Sequence, residues 1–220
     1  MDRNGRLSVT EQVLSSFDPD RPVLLVDADE VLLRFVERLE VFFLSKGFEL
    51  RLTSFRLSGN IYDLSTGQAA EQCQVKDMLK AFFNECVDDM IAVPGAAEAL
   101  AALSDYYQIA VLSNVPANCR ARREDNLAQL GISYPVIANK GDKGPVVRRF
   151  MQAATSNKLI FIDDLPPQHS SVAEHCPGSH RIHFIGDPRL AKMINKAPDA
   201  NIRIDDWHLI TPHLIAFLEA

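Results

Sequence analysis

The sequence has no apolar run approaching the ~18 residues that a membrane-spanning helix requires, so no membrane span is expected. Its opening, MDRNGRLSVTEQVLSSF, lacks the apolar segment of a secretory signal. The four cysteines, at 73, 86, 119 and 176, make no CxxC pair, which favours reduced thiols and a cytoplasmic location over a disulfide scaffold. There is no surplus of positive charge; the formal net charge is −6, which argues against nucleic acid as a partner. No GxxxxGK(S/T) loop is present, so the guanine-reading pattern matched by Asn139-Lys140-Gly141-Asp142 has no phosphate cradle to work with. GxSxG is missing too, and all six histidines lie after residue 168, which leaves a Ser-His-Asp hydrolase with little support. What remains is ordinary for a globular protein: 220 residues, 47% hydrophobic and 24% charged. That length allows one substantial core with a small accessory domain.

The pattern along the chain changes character twice. Residues 1–20 read as a tail or short surface helix closed by Pro22, and PVLLVD then reads as a buried strand. Leu32, Phe35, Leu39, Phe42 and Phe43 recur at helical spacing up to a stop at Gly47. Residues 49–68 have no clear period. Val75, Met78, Leu79 and Phe82 or Phe83 mark a second helix within 69–90. From Pro94 onward strands and helices alternate: QIAVLSN, PVIAN, KLIFIDD, RIHFI and NIRID are strands, and a final helix runs over roughly 207–218. This alternation predicts an α/β fold, a Rossmann-like parallel sheet flanked by helices. The core spans 18–32 and 92–220, and 33–91 is an inserted small α-helical cap subdomain.

Three strands end in reactive polar groups. PVLLVD ends at Asp27 with Asp29 two residues on, IAVLSN at Ser113 and Asn114, and LIFIDD at Asp163 and Asp164. Ligands in open α/β sheets bind beyond the carboxyl ends of the strands, which would bring these groups to one edge. Up to four carboxylates in one crevice cannot all stay ionised unaided. A hard divalent cation with oxygen ligands resolves the repulsion, and Mg²⁺ suits a few carboxylates, several waters and a substrate phosphate. Lys143, in GDKGPVV just ahead of a helix, would help further; Lys140 is the alternative.

Four segments, in order, resemble the motifs of the haloacid dehalogenase (HAD) superfamily. VLLVDADEVLL resembles the first, IAVLSN the second, Lys143 before its helix the third and LIFIDD the fourth. The insertion directly after the first motif resembles a cap, and PGAAEAL resembles the return to the core. The resemblance implies a phosphatase in which Asp27 attacks phosphorus to give an aspartyl-phosphate. Asp29 would act as acid and then base, its backbone carbonyl touching Mg²⁺. Ser113 would hold a phosphoryl oxygen with Asn114 nearby, Lys143 would neutralise charge, and Asp163 and Asp164 would serve the metal, in an order left open. The substrate would be a small phosphorylated metabolite, such as a sugar phosphate or a nucleoside monophosphate. DADEVLL and IDDLPP also resemble the 5′(3′)-deoxyribonucleotidase branch. A phosphomutase would use the same residues, and a non-catalytic regulatory protein on the same scaffold is a third reading. Glu30 departs from the family pattern, since many relatives carry Gly there, so the tight turn must be built differently.

Three further features are weighed on their chemistry. His175, Cys176, His180 and His183 are possible zinc donors but read as a helix end, a turn and a strand that happen to carry them. Arg120, Arg122 and Arg123 resemble a phosphate clamp, though on a polar helix they read as a solvated face. In the cap, Arg56 is the first choice for a substrate contact, with Arg34, Asn60 and Tyr62 behind it. Residues 33–91 leave the core directly after the first motif and return just before Pro94, so both hinges would sit close to the site and cap closure would exclude water from it.

Overall fold

A computed structural model describes residues 7–54, 57 and 59–219. Helix α1 (Val9–Ser16) precedes strand β1 (Val23–Val26). An insertion follows, made of α2 (Phe35–Ser45), β2 (Phe48–Leu50), β3 (Ile61–Asp63) and α3 (Gln72–Cys86). The chain continues through α4 (Ala96–Leu103), β4 (Gln108–Ser113), α5 (Arg120–Gln129), β5 (Val136–Ala138), α6 (Gly144–Ala153) and β6 (Leu159–Asp163). It closes with α7 (Pro166–His175), β7 (His180–His183), α8 (Pro188–Ala191), β8 (Ile202–Arg203) and α9 (Trp207–Glu219). Six strands form one sheet in the order β5-β4-β1-β6-β7-β8, and every pairing in it is parallel. The Rossmann-like α/β arrangement expected from the alternating pattern is present.

The central strands are apolar on both faces because helices cover both. All four residues of β1 and all five of β6 are buried, as a parallel sheet between two helical layers demands. One core cluster unites β1, α4, β4 and α9, and a second lies on the other face under α1 and α6. Trp207, the single tryptophan, is fully buried, and its indole N–H donates to the Val31 carbonyl at 3.0 Å, under the loop that follows β1. Among the described residues no helix is long and apolar enough to cross a membrane.

The insertion leaves and rejoins the core through two adjacent crossings. Arg34 donates its N–H to the Ile91 carbonyl at 3.0 Å and Val93 donates to Leu32 at 2.8 Å, with Leu33 and Ala92 bridged antiparallel. Its two expected helices are there, with Phe35, Phe42, Phe82 and Phe83 in edge-on and tilted ring contacts between them. The all-helical expectation needs one correction: β2 and β3 pair antiparallel, Phe48 with Asp63 and Leu50 with Ile61. Strands of three residues give too little alternation to register as a period, so this hairpin is silent in the sequence.

His175, Cys176, His180 and His183 form no donor cluster among the described residues, in keeping with the reading of them as a helix end, a turn and a strand. His175 Nδ1 pairs with the Ser171 carbonyl, His180 faces His213, and His183 is bonded to backbone groups at both ring nitrogens. Each imidazole is consumed by a local partner, so those donors are structural.

Candidate active site

Register brings the three polar strand ends to one edge. Val26 lies level with Val111 of β4 and Ile162 of β6, so Asp27 is flanked by the ends of both neighbours. Asp27 donates its backbone N–H to the Ile162 carbonyl at 2.9 Å, which keeps it in line with the strand. The next residues turn tightly: Leu32 and Leu33 both donate to the Ala28 carbonyl, and Gly186 donates to the Glu30 carbonyl at 2.7 Å. Glu30 sits at φ 63°, the left-handed conformation that glycine adopts most readily. Its carboxylate compensates by accepting the Val36 N–H at 2.9 Å in the first turn of α2, one of the otherwise unpartnered N–H groups of that helix. This tight turn is thus built with an acid that caps the next helix. Burial pushes that carboxyl up to about 8.

Lys143 stands at the centre. Its ammonium lies 2.7 Å from Asp27 Oδ1 and 2.7 Å from Asp163 Oδ2, with 1% of its side chain exposed. Burial works against the charge, but Asp163 and Asp27 outweigh it and hold the pKa above the usual lysine value. Lys140, the alternative in the sequence, is exposed. Gln168 fixes the Lys143 backbone, accepting its N–H at 2.9 Å, and α6 starts at once through Gly144-Pro145.

Asp163 and Asp164 divide the work. Asp163 accepts from Lys143 through one oxygen and from the Leu165 N–H, at 2.9 Å, through the other. Asp164 lines the cavity. Asp27, Asp163 and Asp164 can bring one carboxylate oxygen each to within 4.8 Å of one another. Burial raises the pKa of all three; Asp27 reaches about 6, with Lys143 opposing and Asp163 adding to the rise. Asp29 also rises to about 6, from burial first, with Arg123 opposing.

Asp29 is not one of that trio and pairs with an arginine instead. Its Oδ1 lies 2.7 Å from Nη2 of Arg123, a residue with no exposed surface, while 19% of the Asp29 side chain remains exposed toward the cavity. Arg123 also donates to the Met90 sulfur at 3.1 Å, and Asn126 donates to the Met90 carbonyl, so α5 is tied to the returning crossing of the insertion. Reading the arginines as a solvated face therefore fits Arg120 and Arg122, which pair with Glu124 and Asp88, and is wrong for Arg123. A signal was there: Cys119, Arg123, Asn126 and Leu127 are the buried positions at helical spacing, so Arg123 occupies a core stripe.

Ser113 is fully buried at the end of β4, its hydroxyl accepting the Val115 N–H at 3.2 Å. Asn114 is exposed on the cavity and is held by Gly141 and Asn139. Two histidines were also missed. His169 and His183 each place Nε2 2.9 Å from a backbone carbonyl of the acid pair, Asp163 and Asp164 respectively. His183 Nδ1 accepts the Ala197 N–H, so its Nε2 carries the proton and donates. Burial lowers both to about 4, so they hold the acid loop as neutral rings. Arg56 and Ser58 lie outside the described residues.

The donor set fits a divalent cation. Counted as fully ionised, Asp27, Asp29, Asp163 and Asp164 outnumber the buried cations Lys143 and Arg123 by two, an excess that burial opposes and a bound cation would offset. All the donors are oxygens, the ligand type that hard cations such as Mg²⁺ take.

The sequence matches no family model and no curated protein. Solved structures do match. A HAD family hydrolase from Deinococcus radiodurans R1, solved with phosphate and sodium, aligns over 90% of this chain and 97% of its own at TM-score 0.62 and 16% identity. The fold is that of the haloacid dehalogenase-like hydrolases. A conserved haloacid dehalogenase-like protein of unknown function from Agrobacterium tumefaciens aligns over 91% and 100%, at TM-score 0.63 and 12% identity. A protein provisionally described as a β-phosphoglucomutase, from Bacteroides vulgatus, aligns over 96% of both chains at TM-score 0.55 and 16% identity. At these identities the likeness to HAD proteins is one of fold, and the chemistry must be argued from the site.

Proposed function

We propose that the chain is a Mg²⁺-dependent phosphatase that hydrolyses a small phosphorylated metabolite through an aspartyl-phosphate on Asp27. The observation that carries this reading is the buried Asp27–Lys143–Asp163 chain beside Asp164, two negative charges in excess when counted as fully ionised, opening onto a cavity at the carboxyl edge of the sheet. A regulatory module has no use for so costly an arrangement.

Asp27, Asp164 and the Asp29 carbonyl would hold Mg²⁺, with Asp163 behind them because both its oxygens are already engaged. Bound there, the ion would offset the repulsion between these carboxylates and a phosphate dianion. Asp27 forms a bond to phosphorus as the ester P–O bond breaks. Asp29 delivers its proton to the departing oxygen. It then takes a proton from the water that attacks the phosphoryl group, and Asp27 is released with inorganic phosphate. Lys143 keeps Asp27 ionised, and Ser113, Asn114 and Lys143 hold phosphoryl oxygens. Arg123 is a positioning residue; it fixes Asp29 Oδ1 and leaves the second oxygen for the leaving group. The insertion acts as the cap over 33–91, and Arg56 is retained as a cap contact.

A screen of phosphate esters, with phosphate release as the readout, tests the reading. Release should require Mg²⁺ and stop on chelation. Full release in chelator contradicts the metal assignment, and release by Asp27→Asn contradicts the nucleophile.

A further inference from the structure

The cavity over the acid cluster has two unlike ends. Its polar end is the proposed phosphoryl site: Asp27, Asp29, Asn114, Lys143 and Asp164. Apart from Glu30, the rest of the described wall is Phe35, Val36, Leu57, Leu165 and Leu190. The Glu30 carboxylate is turned into the first turn of α2, where it accepts the Val36 N–H. Phe35, Val36 and Leu57 come from the insertion, and Leu165 and Leu190 from the core, so both halves present carbon to the same space. Leu165 keeps 37% of its surface exposed, directly after the acid pair, and Phe35 and Leu57 are half-buried. The space is about 230 Å³, below the roughly 300–1,000 Å³ usual for drug-sized ligands, so the group it takes is small.

Sugar hydroxyls closed into such a space would each lose water and, against this described wall, meet no donor or acceptor; an unpaired buried polar group is penalised. A carbon surface gains by leaving water for the same wall. We propose that the leaving group of the substrate is a compact apolar alcohol, aromatic or branched aliphatic, rather than a polyhydroxylated sugar. This rests on the phosphatase reading above and replaces the sugar phosphate that the family resemblance implies. It also weighs against a phosphomutase, which must hold a second hydroxyl of its substrate in register with the phosphoryl group.

The test compares esters of matched chemical reactivity: benzyl phosphate against a hexose phosphate esterified at its primary hydroxyl, each with Mg²⁺ and the full chain. Benzyl phosphate should have the higher kcat/KM by at least about tenfold, the order of discrimination a hydrophobic pocket gives. Leu57→Asn should narrow that ratio at least about fivefold, and Leu165→Asn should do the same from the core side should the first variant fold poorly. Equal rates on the two esters, or a preference for the hexose phosphate, overturn the inference and leave the phosphatase reading intact. A benzyl preference that neither variant changes overturns the assignment to this wall. Turnover of no ester at all contradicts the phosphatase reading instead. Calorimetric binding of benzyl phosphonate against a hexose phosphonate then decides the pocket preference, with tighter binding of the hexose compound overturning it.

Discussion

Asp29 pairs with one arginine that has no exposed surface, and among the described residues Arg123 has no other carboxylate partner. Arg123→Ala should therefore lower stability by about 3–5 kcal/mol, the cost of stripping one member from a buried pair. On protein still folded it should lower kcat at least about tenfold with little change in KM, and Arg123→Lys should recover part of the loss. Lost stability with unchanged kcat would make the arginine purely structural. Asp164 makes the opposite case. Burial and the neighbouring acids push its carboxyl well above the usual range. A carboxyl whose pKa rises on folding costs stability at pH values above its unfolded value. In chelator, Asp164→Asn should then raise Tm, by ~2–4 °C per kcal/mol relieved in a chain of this length. In excess Mg²⁺ wild type should gain Tm and the variant gain little, because only an intact site binds the ion. Equal Mg²⁺ shifts in the two proteins would remove Asp164 from the metal site. These residues were unequally legible. Asp27, Ser113 and the acid pair stand at the ends of apolar runs, where strand context marks them. Arg123, His169 and His183 sit within helices and strands, and only their buried contacts set them apart.

Elements act here by fixing where a side chain starts. Lys143 reaches two carboxylates because α6 begins at Gly144, packed on α7. A Cβ at Gly144 would come within 2.3 Å of the Ser171 carbonyl oxygen and 2.5 Å of its hydroxyl, so no alanine fits without moving a helix. Gly144→Ala should cost roughly 1–3 kcal/mol of stability by overpacking. It should also reduce activity about as severely as Lys143→Ala, because the start of α6 carries the lysine with it. A Gly144→Ala protein of full activity would show that α6 need not sit so close. Lys140→Ala, one loop away on the surface, should cost little. Helix and strand order from Pro94 onward followed from the alternation of apolar runs with Pro- and Gly-marked helix ends. The β2–β3 hairpin did not, because strands of three residues in a polar stretch leave no period. The short helix α8, four residues after Asp187, was equally silent.

At the scale of the molecule, one sheet edge gathers most of the unfavourable electrostatics of an already acidic chain, and the rest of the fold supports it. Trp207 props the loop after β1, the two neutral imidazoles pin the acid pair, and the paired crossings at Leu32–Arg34 and Ile91–Val93 set the insertion over the opening. The sheet and the position of the site could be read from the sequence because both depend on local pattern and strand ends. The apolar wall could not, since it joins residues as distant as Phe35 and Leu190 that no periodicity links. The central claim is that this arrangement makes Asp27 a nucleophile toward phosphorus. Its most direct test is acid quenching of the Asp29→Asn variant during reaction with para-nitrophenyl phosphate and Mg²⁺, an ester whose leaving group departs without a proton so that only the water step is blocked, followed by peptide mass analysis. The account predicts one phosphoryl group on the peptide containing Asp27, absent when Asp27 is also changed to Asn. A phosphoryl group on another residue, or turnover that persists in the Asp27→Asn protein, would contradict it.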